Sequence, residues 1–215
     1  MFVHSKDFHQ RNLRLLRQLF FEKHRLIFLE CQIDESGGAA YCNDPTMPTW
    51  AVSPRGVIDQ ILYLDSIGKP EKMPIRVVID SPGGYISPYL NLYDVMHAAR
   101  CPIYTIAMGF MASAAAPILA GGFKGKRFIF PSSKTMIHLP QGGAQGDAEE
   151  LKRQAIRLKK TKDTYIEILS RHTGKKPAVI EKAIDRTDYF MDAKETIAFG
   201  LADKLVESLE ETFVL

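Results

Sequence analysis

The chain has 215 residues, of which 46% are hydrophobic and 25% are charged, a composition typical of a globular protein with a buried core. Its 28 basic and 25 acidic residues give a net charge of +3, which is too mild to indicate nucleic-acid binding on its own. No apolar run reaches the length of a membrane span. The three cysteines are widely spaced and odd in number, which favours free thiols in a reducing, cytoplasmic compartment over a disulfide framework or a metal site.

The first quarter of the chain is predicted to contain a helix, a strand and a long loop. Basic and apolar residues alternate at helical spacing over residues 10–22, so residues 1–24 are interpreted as an N-terminal helical segment. This segment lacks an apolar core with a small-residue cleavage site, and no signal peptide is predicted. The apolar run 25–33 predicts one buried strand. Residues 34–56 are without periodicity and predict a loop of the length that is usually functional or mobile.

Strands and helices alternate in the middle of the chain. The predicted elements are a helix at 57–67, a strand at 75–80, a helix at 86–99 and a strand at 103–109. This order predicts βαβ units, and therefore a parallel sheet with right-handed crossovers. Ligands of such sheets bind beyond the carboxyl ends of the strands. Both glycine-rich turns of this region, after Asp80 and around Ser113, fall at that edge.

The second half of the chain is predicted to hold one long helix among shorter elements. Two short strands, in "KRFIFP" and "KTMIHLP", precede a helix at 147–172 that opens with acidic residues and then becomes basic, as the helix dipole favours. Thr173 and Gly174 end this helix. Shorter helices at 177–184 and 193–199 are followed by a final strand at 201–206.

Ser113 is the serine of the stretch "GFMASAAAPILAGG", which begins at Gly109. Proline is tolerated only in the first turn of a helix, so Pro117 predicts a helix that begins near 114–116, with Ser113 at or beside its N-cap. The hydroxyl of such a serine either caps the helix or acts as a nucleophile, whose oxyanion the N–H groups of the helix N-terminus could stabilise. Considered alone, Ser113 is better explained as a cap.

The sequence "DSPGG" places Gly83 and Gly84 directly after a predicted strand. A backbone without side chains there can direct an N–H at a reacting carbonyl oxygen, although Pro-Gly-Gly is also common in plain turns. Together with the bare stretch around Ser113, it indicates an oxyanion hole at one edge of the sheet. A nucleophilic serine also needs a base, and the base needs an acid that orients it.

Histidine is the usual base, and three of the six histidines lie in the polar N-terminal segment. His97 lies on a predicted helix, and His172 lies near a helix end, where a charged imidazole would favour the dipole. His138 ends the run "KTMIH" immediately before "LPQGG", a loop-edge position suited to a general base. The residues alone do not distinguish a base from a buried, hydrogen-bonded histidine at this position.

Five motifs occur along the chain in a fixed order: "DSPGG", "MGFMASAAAPILAGGFKGKRFIFPSSKTMIHLPQGG", "QGDAEEL", "HTGK" and "DRTDYFMDAKETIAFGLADKLV". In these motifs and their spacings the chain resembles the proteolytic subunit of the Clp (caseinolytic) serine protease family. The resemblance covers residues 25–206, apart from the loop. It implies an α/β fold of the crotonase and Clp-protease kind, a repeated ββα superhelix. The whole chain, 1–215, would then be one domain with 34–56 as an inserted loop and a handle strand and helix at about 134–172.

The resemblance also implies a catalytic triad. Ser113 corresponds to the nucleophile, His138 to the general base and Asp188 to the acid. Asp185 and Asp192 lie nearby in the sequence, and nothing in the residues themselves separates the three acids. Only the match of "TDYFM" to the family's segment favours Asp188.

The family's oxyanion hole corresponds to the backbone N–H groups of Gly84 and Ala114. The substrate would lie extended and pair its backbone with two segments beside the nucleophile. The corresponding residues are Gly83, Tyr85, Ile86, Gln141, Gly142 and Gly143.

The implied activity is that of a serine endopeptidase subunit of an ATP-dependent Clp protease. Such a homo-oligomer of stacked heptameric rings cleaves unfolded polypeptides in an enclosed chamber, with a Clp-type ATPase ring or a related Clp subunit as its partner. The resemblance implies no metal, no cofactor, no nucleic acid and no membrane.

Two regions depart from the family's pattern. The N-terminal "MFVHSKDFHQRNLRLL" does not match the family's axial loop, and residues 34–56, which contain Trp50, are inserted on the side of the ring that the ATPase uses. We therefore hypothesise that docking of the usual ATPase is altered.

Two other functions are considered. A non-catalytic or assembly subunit of a mixed Clp ring would usually lack a triad residue, whereas all three candidates are present here. A crotonase-type acyl-CoA enzyme shares the architecture and the oxyanion hole, but typically uses carboxylates, and the serine, histidine and aspartate set argues against it.

Overall fold

The computed structural model describes residues 18–33, 39–42, 53–69, 72–185 and 187–213. The strands, in chain order, are β1 (Leu26–Leu29), β2 (Cys31–Ile33), β3 (Ala39–Cys42), β4 (Ile75–Ser81), β5 (Ile103–Ala112), β6 (Arg127–Ile129), β7 (Lys134–Ile137), β8 (Tyr189–Met191) and β9 (Lys204–Leu205). The helices that follow the helical residues 18–24 are α1 (Pro54–Ile67), α2 (Ile86–Ala98), α3 (Ala115–Ala120), α4 (Ala148–Thr173), α5 (Pro177–Ile184) and α6 (Ala193–Phe199), with a short 3₁₀ helix at Glu210–Thr212. None of the helices in the described ranges is long and apolar enough to cross a membrane.

The main sheet is parallel along its length, in the order β1-β4-β5-β6-β9. Its central strands are buried on both faces, and apolar side chains therefore occupy both faces instead of alternating with polar ones. Val77 and Ile79 of β4 pack in the largest core cluster, which includes residues of α1, α2 and α3. Val78 packs on the opposite face, in a cluster with Tyr104 and Phe128. The parallel sheet predicted from the strand and helix alternation is confirmed.

Strand β5 changes its neighbour halfway along its length. Its first half pairs with β6, whereas Phe110–Ala112 pairs with β7, which in turn pairs antiparallel with β8. Gly109 stands at the change with a φ of +105°, and a β-carbon there would lie 2.5 Å from Oδ1 of Asp80. That carboxylate accepts the Phe110 N–H at 2.9 Å, so the bend is fixed by a glycine and an acid together.

The prediction of one strand over 25–33 is wrong. The run divides into β1, which joins the main sheet beside β4, and β2, which pairs antiparallel with β3 in a separate two-stranded sheet. An apolar run indicates that a segment is buried but not which strand it pairs with. Here the partner changes within the run, from β4 to β3. The final strand is also shorter than predicted, and β5 continues to Ala112 instead of ending at Gly109.

The long loop predicted at 34–56 contains strand β3 and the first turn of α1. Helix α1 begins at Pro54, where Ser53 caps it by accepting the Gly56 N–H at 3.2 Å. Residues 34–38 and 43–52, which include Trp50, lie outside the described residues, as does 1–17 of the N-terminal segment. Residues 18–24 of that segment are helical, as predicted.

Helix α4 matches its prediction closely. Asp147 caps its N-terminus by accepting the Glu150 N–H at 2.8 Å, and Gly174 ends it in the left-handed conformation. The glycine-rich segment before it was expected to be a strand, but the strand ends at Ile137 and residues 138–145 have no regular secondary structure. A strand needs a neighbouring edge for its N–H and C=O groups, and no other strand described here lies beside this exposed segment.

A buried ion pair joins the end of the sheet to the C-terminal end of α4. Arg127 is 1% exposed, and its Nη2 and Nε lie 2.6 and 2.8 Å from the two carboxylate oxygens of Asp203. Its Nη1 donates to the carbonyls of Ala120 and His172 at 3.1 and 3.2 Å. The guanidinium therefore links the three segments that contain Asp203, Ala120 and His172.

His172 does not carry the charge that its helix-end position suggested. Burial, followed by electrostatic interactions with His97 and Arg127, lowers the pKa of His172 to about 4. Its Nε2 lies 2.7 Å from the Tyr93 hydroxyl. The imidazole is therefore neutral at pH 7, because desolvation and like charges outweigh the helix dipole.

Candidate active site

Ser113 occupies the turn between β5 and α3 in a strained conformation. Its φ is +55°, in the left-handed region that residues other than glycine rarely adopt. Helix α3 begins at Ala115 and its N-cap is Ala114, without a side-chain cap. The Ser113 hydroxyl instead lies 2.7 Å from Nε2 of His138. The interpretation of Ser113 as a helix cap is therefore wrong.

The register of three strands brings the serine, the histidine and an aspartate together. Ala112 of β5 pairs with Met136 of β7, and the Ser113 N–H continues this ladder to the Met136 carbonyl at 2.9 Å. On the other side of β7, Ile137 pairs with Tyr189 of β8 in antiparallel register. One step beyond each ladder, His138 comes beside Ser113 and opposite Asp188.

The structure separates the three acids that the sequence left open. Oδ1 of Asp188 lies 3.5 Å from Nδ1 of His138. Asp192 is engaged elsewhere, because it caps α6 and exchanges hydrogen bonds with Glu195 in a capping box. Asp185 is the C-cap of α5. Asp188 is thus the acid that the fold brings to the imidazole.

Asp188 approaches the imidazole loosely. Its side chain is 49% exposed, against 18% for His138, and 3.5 Å is longer than a good hydrogen bond. The amide Nε2 of Gln141 lies at the same 3.5 Å from Nδ1. The carboxylate requires a proton on Nδ1, whereas an amide N–H requires a lone pair there. The two neighbours therefore favour opposite tautomers, and only the first leaves Nε2 free to accept the serine proton.

The glycine turn lies directly against the serine. Gly83 and Gly84 have φ angles of +89° and +143°, and the Gly83 N–H donates to Oγ of Ser81 at 3.2 Å. A β-carbon at Gly83 would stand 2.9 Å from the backbone N of Ala114. The two backbone segments predicted to form an oxyanion hole are therefore neighbours in space.

The predicted substrate-contacting residues fall into two groups. Tyr85 and Ile86 follow the glycine turn at the start of α2, and Tyr85 is half exposed. Residues 141–143 are exposed on the irregular segment after His138. Of the second group, Gln141 lines an open pocket of about 650 Å³ beside the histidine and aspartate.

That pocket includes residues that the sequence did not identify. They are Leu139, Ile184, Thr187 and Phe190, and they line the pocket beside the predicted residues His138, Gln141 and Asp188. Phe190 is 59% exposed and stacks on Phe110 with ring centroids 6.4 Å apart. Phe190 is an exposed aromatic residue close to Asp188 in the sequence. Strand β8 has only three residues, too few for an alternation of exposed and buried positions to predict this exposure.

A comparison with protein families agrees with the geometry. A family model described as Clp protease matches residues 50–209. The matched range contains the serine, histidine and aspartate, both glycine positions and the whole of α4, whereas β1–β3 and most of the loop 34–56 precede it. The match covers well over half of the chain, and the chain therefore belongs to the Clp protease family.

Proposed function

We propose that the chain is a serine endopeptidase of the Clp type, with Ser113, His138 and Asp188 as its triad. The observation that carries this proposal is the 2.7 Å separation of Ser113 Oγ and His138 Nε2 at the carboxyl edge of a parallel sheet. Family membership supports a peptidase that acts on polypeptides. The strained φ of Ser113 supports a functional role for this turn, because strain of this kind clusters at active sites.

Acyl transfer accounts for the proposed roles. His138 Nε2 accepts the hydroxyl proton as Ser113 Oγ forms a bond to the peptide carbonyl carbon, and the N–H groups of Gly84 and Ala114 stabilise the oxyanion. His138 then gives the proton to the leaving amine nitrogen, and the C–N bond breaks. Water, deprotonated by His138, attacks the acyl-enzyme and releases the acid, while Ser113 regains its proton. Asp188 holds the productive tautomer and stabilises the imidazolium.

The substrate would bind as an extended chain. Two backbone segments flank Ser113. One runs from Gly83 to Ile86, where Tyr85 is exposed, and the other is the exposed segment that contains Gln141, Gly142 and Gly143. Main-chain pairing with such segments supplies affinity with weak demands on side chains. We propose that these segments hold unfolded polypeptides of varied sequence.

The proposed assembly follows from family membership, which implies an oligomeric proteolytic chamber. We propose stacked heptameric rings of this chain in the cytoplasm, with a Clp-type ATPase or a related Clp subunit as partner. Altered docking of that ATPase remains our hypothesis for the loop 34–56. Normal ATP-dependent degradation of a folded substrate with a standard Clp ATPase would contradict it.

The test uses the assembled protein, a short fluorogenic peptide and a fluorophosphonate probe. Ser113→Ala is expected to abolish labelling and to lower kcat by about 10⁴-fold or more, because no nucleophile remains. Ser132→Ala is the matched control, since Ser132 is exposed on a turn outside the site and should leave both unchanged. Full peptidase activity in Ser113→Ala would reject the assignment.

A non-catalytic subunit is the second candidate, and the loose approach of Asp188 to His138 favours it. Absence of labelling in the purified assembly, with and without a related Clp subunit, would support that role. A crotonase-type acyl-CoA enzyme is less favoured, because the group facing Ser113 is an imidazole and not a carboxylate.

A further inference from the structure

The hydroxyl of Tyr165 lies between the main chains of Ser113 and His138. Tyr165 belongs to α4 and is 4% exposed. Its hydroxyl donates to the Ser113 carbonyl at 3.2 Å. The same oxygen accepts a hydrogen bond from the backbone N–H of His138. One buried phenol thus contacts the residues proposed as nucleophile and base, through their backbones and not their side chains.

The position of this phenol follows from how the strand ladder ends. In a parallel ladder, a residue donates its N–H to one neighbour and accepts at its C=O from the residue two positions further along the same neighbouring strand. Ser113 makes the first of these bonds, to Met136 at 2.9 Å. The second would join the His138 N–H to the Ser113 carbonyl. Ser113 turns away from the strand at its positive φ, and the Tyr165 hydroxyl stands in the path of that bond.

We propose that Tyr165 is a positioning residue that holds Ser113 and His138 at reactive separation by relaying the last bond of the β5–β7 ladder. The proposal rests on the proposed serine peptidase activity. Tyr165 does not touch the reacting atoms. It acts because each of its two hydrogen bonds fixes the backbone that carries one of the reacting side chains.

The surroundings suit a rigid and permanently protonated hydroxyl. The ring packs in a cluster with Ile137 of β7, Leu169 of α4 and Ile184 of α5. Burial raises the pKa of Tyr165 far above its usual range, and the bond from His138 lowers it only in part. The hydroxyl is therefore protonated at neutral pH and can donate to the Ser113 carbonyl.

Tyr165→Phe tests the proposal, since it removes the hydroxyl and keeps the ring. We expect kcat for the peptide to fall about ten- to a hundredfold with little change in KM, because misplacement of reacting groups slows chemistry without removing substrate contacts. The rate of fluorophosphonate labelling should fall to the same extent.

Tyr93→Phe is the matched control. The Tyr93 side chain is 5% exposed, and its hydroxyl bonds His172 at 2.7 Å, away from the triad. Both variants lose interior hydrogen bonding, so both should melt at a lower temperature than the parent, but only Tyr165→Phe should lose kcat. Equal losses of kcat in the two variants, or an unchanged kcat in Tyr165→Phe, would overturn the proposal.

A crystal structure of Tyr165→Phe distinguishes failure of this proposal from failure of the proposed function. We expect the Ser113 Oγ to His138 Nε2 separation to exceed 2.7 Å by enough to break the hydrogen bond. If the parent neither cleaves peptide nor labels, the peptidase assignment fails, and the separation still reports whether Tyr165 positions the pair. An unchanged separation in the variant would reject the positioning role.

Discussion

Gly83 lies so close to Ser113 that a β-carbon at position 83 would stand 2.8 Å from the β-carbon of the serine and 2.6 Å from the Ala112 carbonyl oxygen. Real β-carbons do not approach backbone atoms this closely. With its φ of +89°, position 83 thus excludes a side chain on two grounds.

Gly83→Ala is accordingly expected to displace the turn that carries Gly84 and to lower kcat by about a hundredfold. Gly174→Ala is the matched control, because Gly174 also has a positive φ, +74°, but open space around its α-carbon. The control should cost only about 1 kcal/mol of unfolding free energy and leave kcat unchanged. Peptide hydrolysis and urea denaturation measure the two effects, and an active Gly83→Ala enzyme would contradict the close packing.

Asp188→Asn should lower kcat by at least about a hundredfold, because an amide no longer selects the imidazole tautomer that accepts the serine proton. Asp192→Asn makes the same chemical change four residues away and keeps a good helix cap, so kcat should not change. The measurement is kcat for the fluorogenic peptide in each of the two variants. If Asp192→Asn were the inactive variant, the acid would be misassigned.

Asp203→Asn should lower the unfolding free energy by about 3 kcal/mol, because it leaves the buried guanidinium of Arg127 without its counter-ion. Lys124→Met is the control: its ammonium lies 3.5 Å from the same carboxylate but is 72% exposed, and its loss should cost less than about 1 kcal/mol. Urea denaturation at pH 7 measures both. Similar losses in the two variants would show that the burial of Arg127 does not matter.

We also expect the Asp203 carboxylate to make the stability of the folded protein depend on pH in the acid range. Burial alone would raise the pKa of Asp203, but the hydrogen bonds and charge of Arg127 outweigh it and hold the pKa below its usual range. The stabilisation is therefore present above the ordinary aspartate pKa of about 3.9 and is lost as the pH falls through the lowered value.

His172 predicts a separate loss of stability between about pH 6.5 and about pH 4. Its pKa in the folded protein is about 4, lowered by burial and by His97, Arg127, Arg171 and Lys124. In this interval the unfolded chain binds a proton that the folded chain does not, so the melting temperature should fall as the pH falls. His172→Gln, which keeps an acceptor for Tyr93, should flatten this part of the profile. An equally steep profile in that variant would exclude His172 as the cause.

The ends of most helices could be predicted from single residues. Asp147 and Gly174 bound α4, and Pro177 opens α5, because capping and proline geometry act over a few residues. The division of residues 25–33 between two sheets could not be predicted, because the partner of each strand lies elsewhere in the sequence. The apolar pattern of α4 predicts that Tyr165 is buried, but it does not predict the hydrogen bonds of its hydroxyl to the candidate site.

The candidate site was predicted in part. Chemistry of the residues suggested Ser113, the glycine turn and His138, and resemblance selected Asp188 from three acids. No local signal reports that β5 changes from β6 to β7, yet this change sets Ser113 beside His138. The separation between the two side chains is a property of that non-local register.

The change of neighbour along β5 also determines when the site comes into existence. Ser113 and His138 are 25 residues apart, and they meet only after β7 has found the second half of β5. Asp188 arrives later still along the chain, with β8. Pairings between distant strands are slow to form. If the proposed activity is correct, a chain still emerging from the ribosome therefore has Ser113 without its base, and it gains peptidase activity only once β7 and β8 have joined the sheet.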